Sequence, residues 1–435
     1  MTKSVIGGSI MLSNRKVVPS MILEFSCSNH KSIKNEIIFS TIAGSDDTMA
    51  ESLKEFSNYR VLPVAVIYGA NGSGKSNFIN ALAFLKTLVC KSINNQPGQG
   101  IMQVPHKLNT ENIPSEYKIQ FVKNDIRYVY SVSILNNSVN KEYLYYFPKG
   151  RQVKIFERIG MEVKLGDKYK KNLFENSFQA LKENRLFLSC AANFSRVNEI
   201  EEAFLFFRKD IVLYDSENNN WTEYSINLMQ ENVVIKQLFI DILKALGTGI
   251  IDVKVKLDKM KVRDLSQDVH IPEAIRTMFA TSEAARIEAK VIYEQFETDL
   301  MTEESNGIKK LFEIVCPIID ILINGRILIC DEIEKSLHES LACEIVKLFK
   351  MSNNGKSAQL IFSTHDTSLL DCNLFRRDQV WFTELNKERA TDLYSLVELK
   401  NVRKTENLKK GYILGRYGAI PMINDNFFQT FADEL

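Results

Sequence analysis

The sequence predicts an α/β fold: a mixed sheet with a parallel core, an antiparallel β-meander lobe and a mainly helical insertion. Three observations carry that prediction. The run Val61-Leu62-Pro63-Val64-Ala65-Val66-Ile67-Tyr68 is apolar and rich in β-branched residues, as a buried strand requires. It leads through a glycine-rich turn into Phe78, Leu82, Leu85 and Val89 at helical spacing. From Glu116 to Leu165 four strand-like segments alternate with turn residues, and from Asn306 to Asp371 strands and helices alternate as in a parallel sheet covered by helices.

Residues 1–20 have a short apolar patch but no small-residue cleavage site, and read as a loose extension rather than a signal peptide. Residues 21–167 read as an N-terminal lobe. Within it, "MILEFSCSNHKSIKNEIIFSTIAG" (21–44) alternates well enough for a two-stranded hairpin, and "INNQPGQG" (93–100) is a turn-rich break. The meander segments are "EYKIQFV", "IRYVYSVSIL", "KEYLYYFP" and "QVKIFERI", with turns at Lys123-Asn124-Asp125, Asn136-Asn137 and Lys149-Gly150. Residues 168–300 read as a mainly helical insertion, as in "NEIEEAFLFFRKDIVLY" and "VVIKQLFIDILKAL", followed by strand-like "GIIDVKVKL" and "RIEAKVIYEQFETDL". Residues 301–435 form a C-terminal lobe in which "DQVWFTELNKERATDLYSLVELK" reads as a strand pair with a turn.

At 435 residues and 45% hydrophobic content, the chain can bury a large core. Lys+Arg 55 against Asp+Glu 54 leaves a formal charge of +1, which argues neither for nor against nucleic acid. The seven cysteines are scattered without a metal-ligand pattern, Cys316 and Cys330 lie in apolar surroundings, and a reducing cytoplasm suits such usage. No stretch approaches the ~18 apolar residues of a membrane span.

The chemistry begins at Gly69-Ala70-Asn71-Gly72-Ser73-Gly74-Lys75-Ser76, the G-x-x-x-x-G-K-[ST] spacing. Missing Cβ atoms let consecutive N–H groups turn inward around phosphates at a helix N-terminus. Lys75 is expected to reach the β- and γ-phosphates of ATP, and the Ser76 hydroxyl to ligate Mg²⁺. In "GRILICDEIEKSLH" (325–338) a buried strand ends in Asp331 and Glu332. Asp331 is expected to help hold Mg²⁺ and Glu332 to polarise the attacking water as general base; the competing reading is an ordinary acidic helix start. "SAQLIFSTHDTSLLD" (357–371) is a further strand whose end carries His365, a candidate contact to the γ-phosphate or the water.

The order Gly69–Ser76, Ser305-Asn306-Gly307, Asp331-Glu332, His365 resembles an ABC-type ATPase head. Ser76 followed by Asn77 resembles the SMC, RecF and OLD heads more than the transporters. "MILEFSCSNHKSIK", "SEYKIQF…YLYYFPKGR", "RLFLSCAANF", "EESNGIKKLFEI" and "LYSLVELKNVRKTENLKKGYILGRYGAIP" are similar to the AAA-type ATPases of bacterial abortive-infection and anti-phage systems, relatives of the OLD, Septu and PARIS ATPase subunits. That resemblance spans Met21 to Pro421. It implies nucleotide contacts at Gly69, Asn71, Gly72, Ser73, Gly74, Lys75, Ser76 and Asn77, and a homodimer or higher homo-oligomer in which Ser305 and Gly307 meet the partner's γ-phosphate. It also implies control of a separate effector, a nuclease or other toxin. Asn306 replaces a signature glycine, and Asn193 is the best match for the glutamine that links nucleotide to the lobe interface. OLD-type proteins carry a nuclease after the head; the seventy residues after His365 are too few for one. A RecF- or SMC-like repair ATPase that binds DNA itself is the competing reading, and Arg403, Lys404, Lys409, Lys410 and Arg416 offer either a DNA surface or a solvated face.

Overall fold

The computed structural model describes residues 20–56, 58–109, 112–215, 221–261, 283–336, 338–351, 357–370, 374–400, 402–403 and 406–420. Residues 1–19 of the N-terminal extension, and Lys404, Asp371 and Pro421 named above, lie outside them. Two large sheets organise the chain. A seven-stranded antiparallel sheet has the spatial order Glu162–Leu165, Val153–Ile159, Ser138–Phe147, Ile126–Leu135, Ser115–Lys123, Met21–Ser28, Ile37–Ser40. A six-stranded sheet has the order Ile211–Asp215, Ile327–Asp331, Gln359–Ser363, Val64–Gly69, Val380–Leu385, Thr391–Ser395. Its first five strands run parallel and the last is antiparallel.

The period-2 pattern of the parallel strands decides what packs where. Ala65 and Ile67 face one core, shared with the antiparallel sheet and with Phe78, Leu82 and Leu85 of the helix Lys75–Lys91. Val64, Val66 and Tyr68 face the other, against Ile345 and Phe349 of the helix Glu339–Met351. Ile327 and Ile329 divide from Leu328 and Cys330 in the same way. The helix Asn306–Asn324 serves two cores: Ile314, Ile318 and Ile321 pack on the sheet, while Phe312, Val315, Cys316 and Ile319 pack on the helices Thr222–Glu231 and Val233–Ala245. Both Cys316 and Cys330 are buried.

The meander turns fall where the sequence puts them. Asn124 and Asp125, like Asn136 and Asn137, take positive φ, the left-handed geometry of two-residue hairpin turns that Asn and Asp tolerate. Three elements differ from the sequence-based expectation. The run 61–68 is split at Leu62-Pro63: Val61 ends the short strand Tyr59–Val61, which pairs with Lys54–Phe56, and the parallel-sheet strand is Val64–Gly69. A fifth meander strand, Glu162–Leu165, follows the turn at Gly160. Within 168–300, "NEIEEAFLFFRKDIVLY" is not one helix. It is helical over Asn198–Leu205, makes a single π-turn over Phe206–Asp210, and ends as the strand Ile211–Asp215 in the parallel sheet. The β-branched pair Ile211-Val212 finds a parallel partner in Ile327–Asp331, and pairing outweighs the helical periodicity upstream. Asp252–Lys261, Glu283–Ile292 and Glu297–Asp299 form a three-stranded antiparallel sheet whose buried residues share a core with the helices Thr222–Glu231 and Val233–Ala245.

Two buried polar centres fix the lobes. Glu142 accepts from the N–H groups of Phe187 and Leu188 at the start of the helix Phe187–Phe194 and pairs with Arg158 at 3.4 Å. Burial raises its carboxyl above the ordinary value, against Arg158 and the two N–H donors. Removing one charge of so buried a pair costs about 3–5 kcal/mol. His30 sits between Tyr117 Oη at 2.7 Å and Asn80 Oδ1 at 3.1 Å, joining the first strand's end to the helix Lys75–Lys91. Burial pulls its imidazole from 6.5 down to about 4, with the Asn80 bond opposing and Lys31 adding to the fall. The folded value lies below the unfolded one, so neutral His30 stabilises the fold above pH 6.5 and that contribution is lost as pH falls toward 4. Denaturant midpoints followed across this window are expected to fall more steeply for the wild type than for His30→Gln. Parallel curves would show that His30 does not titrate with unfolding.

Candidate active site

The parallel strands bring three loop ends to one edge of the sheet. Val64–Gly69 delivers the glycine turn, Ile327–Asp331 delivers Asp331 and Glu332, and Gln359–Ser363 delivers His365 two residues later. Glu332 and His365, together with Lys335, Thr367 and Tyr412, line a cavity of about 870 Å³. Gly69, Asn71, Gly72, Gly74, Lys75, Ser76 and Asn77 form its other wall.

Two glycines of the turn have a geometric reason to be glycine. Gly74 has φ 106° and is the N-cap of the helix Lys75–Lys91, and a Cβ there would collide with Thr391 Oγ1. A Cβ at Gly69 would collide with Thr383 Oγ1. The C-terminal strand pair therefore clamps the turn from behind. Thr391 Oγ1 donates to Ser73 O at 3.0 Å, and Ser73 Oγ meets Thr383 Oγ1 at 2.6 Å. Asn77 Nδ2 donates to Ser32 Oγ at 2.7 Å, and Ser32 Oγ meets Thr391 Oγ1 at 2.7 Å. Ser73 is buried behind the turn rather than facing the cavity, and its N–H already bonds Ala70 O. Its side chain holds the loop's shape.

Lys75 is 4% exposed, and its ammonium donates to Gly69 O at 2.7 Å and Ala70 O at 3.1 Å. It also lies 3.3 Å from His365 Nδ1. An ammonium only donates, so Nδ1 is the acceptor, the ring hydrogen sits on Nε2, and Nε2–H donates to Glu332 Oε1 at 2.6 Å. Glu332 Oε2 in turn pairs with Lys335 at 2.5 Å. Burial alone would raise the Glu332 carboxyl, but Lys335 and His365 outweigh it and hold the group below the ordinary carboxylate value. Glu332 is thus an anion at neutral pH.

Glu332 also has φ 49°, an uncommon backbone for a residue with a long side chain. Ser363 splints it there. The Ser363 hydroxyl accepts from Glu332 N–H at 2.9 Å and donates to Asp331 Oδ1. Asp331 itself does not line the cavity; it stands behind Glu332 at the strand end.

Ser305, Gly307 and Asn193 are not brought to this cavity within the chain. Ser305 caps the helix Asn306–Asn324, accepting from Ile308 N–H at 3.3 Å, and Ser305, Asn306 and Gly307 are exposed. Asn193 is exposed in the helix Phe187–Phe194 and donates to Ser189 O one turn back at 2.8 Å. Ser363, Lys335, Thr367, Tyr412, Thr383 and Thr391 are site or scaffold residues that no sequence motif marks. Ser363 carries the clearest signal of the six, being the last residue of the expected strand before His365.

The fold and this cavity define a P-loop ATPase of the α/β class. The model of the family described as "AAA domain, putative AbiEii toxin, Type IV TA system" matches residues 64–371, well over half of the chain, and the chain belongs to that family. No curated protein sequence matches it. Among solved structures it is similar to an SMC head bound to the C-winged helix domain of ScpA, at 16% identity and TM-score 0.41, over 86% of this chain and 97% of that one. It is also similar to the Smc head domain with an extended coiled coil, bound to the C-terminal domain of ScpA, from Pyrococcus furiosus (15% identity, TM-score 0.40, 91% and 99% covered). A third is the SMC head domain from Thermotoga maritima (13% identity, TM-score 0.39, 86% and 98% covered). Among the described residues no helix is long and apolar enough to cross a membrane.

Proposed function

We propose that this chain is a cytosolic, ABC-type ATPase that acts as sensor or regulator in anti-phage abortive infection, closing head-to-head on ATP and holding a separate nuclease effector under control. The observation that carries the ATPase part is the chain of contacts Lys75–His365–Glu332–Lys335 across one cavity. A cation suited to phosphate, a carboxylate suited to polarising water and a histidine bonded between them support that reading. The defence part is supported by the resemblance of the segments from Met21 to Pro421 and by the family description, which names a "putative AbiEii toxin".

The loop suits a triphosphate. Gly72 and Gly74 have the left-handed φ of an inward-facing N–H nest, and the Lys75 ammonium is held on loop carbonyls at its base. Ser76 lines the cavity and would hold Mg²⁺, whose charge would screen the phosphates; Asp331, set back at the strand end with Oδ1 taken by Ser363, would act on the ion through an intervening water. Among the described residues no group of three His, Cys, Asp or Glu is set for a metal, so the ion's remaining ligands would be phosphate and water oxygens. Glu332 would take the proton of the attacking water, and His365, already bonded to it, would fix the direction of its carboxylate. Ser305 and Gly307 lie exposed at a helix N-terminus away from the chain's own cavity, a placement suited to a second subunit's γ-phosphate.

The defence reading is tested by plaque counts. Expressed with its neighbouring genes in a sensitive host, the chain is expected to lower plaque numbers for some phages of a broad panel, and Lys75→Ala is expected to restore them. Equal counts with and without the wild-type chain across that panel would remove the defence role.

A further inference from the structure

A second cleft lies at the outer edge of the parallel sheet, apart from the nucleotide cavity. Its volume is about 730 Å³, and Ile211, Val212 and Leu213 all line it. Consecutive side chains of a strand point to opposite faces, so a cleft touching all three runs along the strand's edge. Ile211–Asp215 is the outermost strand of its sheet, and among the described residues no strand pairs with its outer side. Such an edge presents backbone donors and acceptors ready for one more strand.

The charged part of the lining is mainly cationic. Lys86, Arg208, Lys209 and Arg326 face the cleft against a single carboxylate, Asp320. That carboxylate is already engaged: Arg326 and Tyr224 Oη both donate to Oδ2, and Asn324 donates to Oδ1. Lys86 is half-buried, and neither it nor Arg208 or Lys209 has a hydrogen-bond or ion-pair partner among the described residues. Desolvation lowers the Lys86 ammonium's value, with Cys90 opposing and Lys91 adding to the fall. Trp221 adds an apolar wall.

We propose that this cleft docks an extended acidic segment of a partner protein, which adds as a strand along Ile211–Leu213 and lays its carboxylates against Lys86, Arg208 and Lys209. Open main-chain groups favour a peptide over a phosphate chain, because a peptide returns both donors and acceptors to the edge and a phosphodiester returns acceptors only. Alternate side chains about 6.6 Å apart on one face of the added strand would reach successive cations. The two ends of the machinery are mechanically joined. Lys86 is on the helix that begins at Lys75, and Ile211–Asp215 pairs with the strand that ends at Asp331. Docking itself requires neither nucleotide nor hydrolysis, so it stands apart from the ATPase reading.

The probe is a fluorescein-labelled peptide of alternating glutamate and valine, titrated with the full chain without nucleotide and followed by anisotropy. Saturable binding is expected, weakened at least ~10-fold by Arg208→Glu combined with Lys209→Glu, the scale of one lost charge-assisted bond. Both positions are exposed, so the double variant should keep the wild-type circular dichroism. A milder Lys86→Gln should weaken the same peptide. A peptide of the same sequence methylated at every backbone nitrogen, which cannot donate to the edge in either register, should bind at least ~10-fold more weakly. The proposal fails if the methylated peptide binds equally, which would mean charge alone is read. It also fails if oligothymidylate or tripolyphosphate binds the cleft more tightly than the peptide, or if the peptide shows no saturable binding.

Discussion

Lys75→Ala is expected to abolish ATP binding as followed by calorimetry. The ammonium is buried at the base of the glycine turn and lies 2.7 Å from Gly69 O, so a phosphate entering the nest meets a cation already in place. Losing two charge-assisted bonds at ~1.5–3 kcal/mol each corresponds to at least about 10²-fold in affinity. The substitution also releases Gly69 O, Ala70 O and His365 Nδ1 from a shared donor. A deformed loop would also abolish binding, and Lys75→Arg separates the causes. It keeps the charge but not the compact point contact, and should recover part of the affinity if charge is what the phosphates read. Wild-type affinity in Lys75→Ala would show that this turn does not hold the nucleotide.

How much of this site is legible in the amino-acid sequence follows from the range of each signal. The glycine turn, its strand and its helix are contiguous, so local spacing displays them. Asp331, Glu332 and His365 are legible because each follows an apolar strand, and parallel strands deliver their ends to one edge. The hairpin turns at Asn124-Asp125 and Asn136-Asn137 announce themselves by residue type. The clamp behind the turn is not legible. Thr391 and Ser73 are separated by 318 residues, and nothing in a threonine's own neighbourhood says that its hydroxyl will meet a glycine-rich loop. Ile211–Asp215 escapes detection for a related reason. Five residues after a helix carry too short a period to read, and only the Ile327–Asp331 partner makes them a strand. Lys335 blends into what resembles an acidic helix start, although it is the residue that closes the far side of Glu332.

Glu332→Gln is expected to bind ATP as the wild type does and to turn it over about 10²–10⁴-fold more slowly, the scale of a lost general base. The amide keeps the volume of the carboxylate and can still accept from His365 Nε2–H, so the cavity should hold its shape. What disappears is the anion that Lys335 and His365 maintain below the ordinary carboxylate value. Because that value is depressed, the wild-type base stays ionised as pH falls below neutrality, and acid loss of turnover should begin only below the ordinary carboxylate range unless another group titrates first. Lys335→Ala supplies the complementary measurement. It removes one of the two cationic or donor partners and should shift the acid limb of the pH–rate profile upward, an effect that a merely structural lysine would not produce. In Glu332→Gln the ATP-bound state should accumulate as a larger assembly by mass, and adding Ser305→Arg, which places a bulky cation at the exposed helix start, should return it to the smaller species with ATP still bound. Wild-type turnover in Glu332→Gln would put the base elsewhere. An assembly unchanged by Ser305→Arg would take Ser305 out of the contact between subunits.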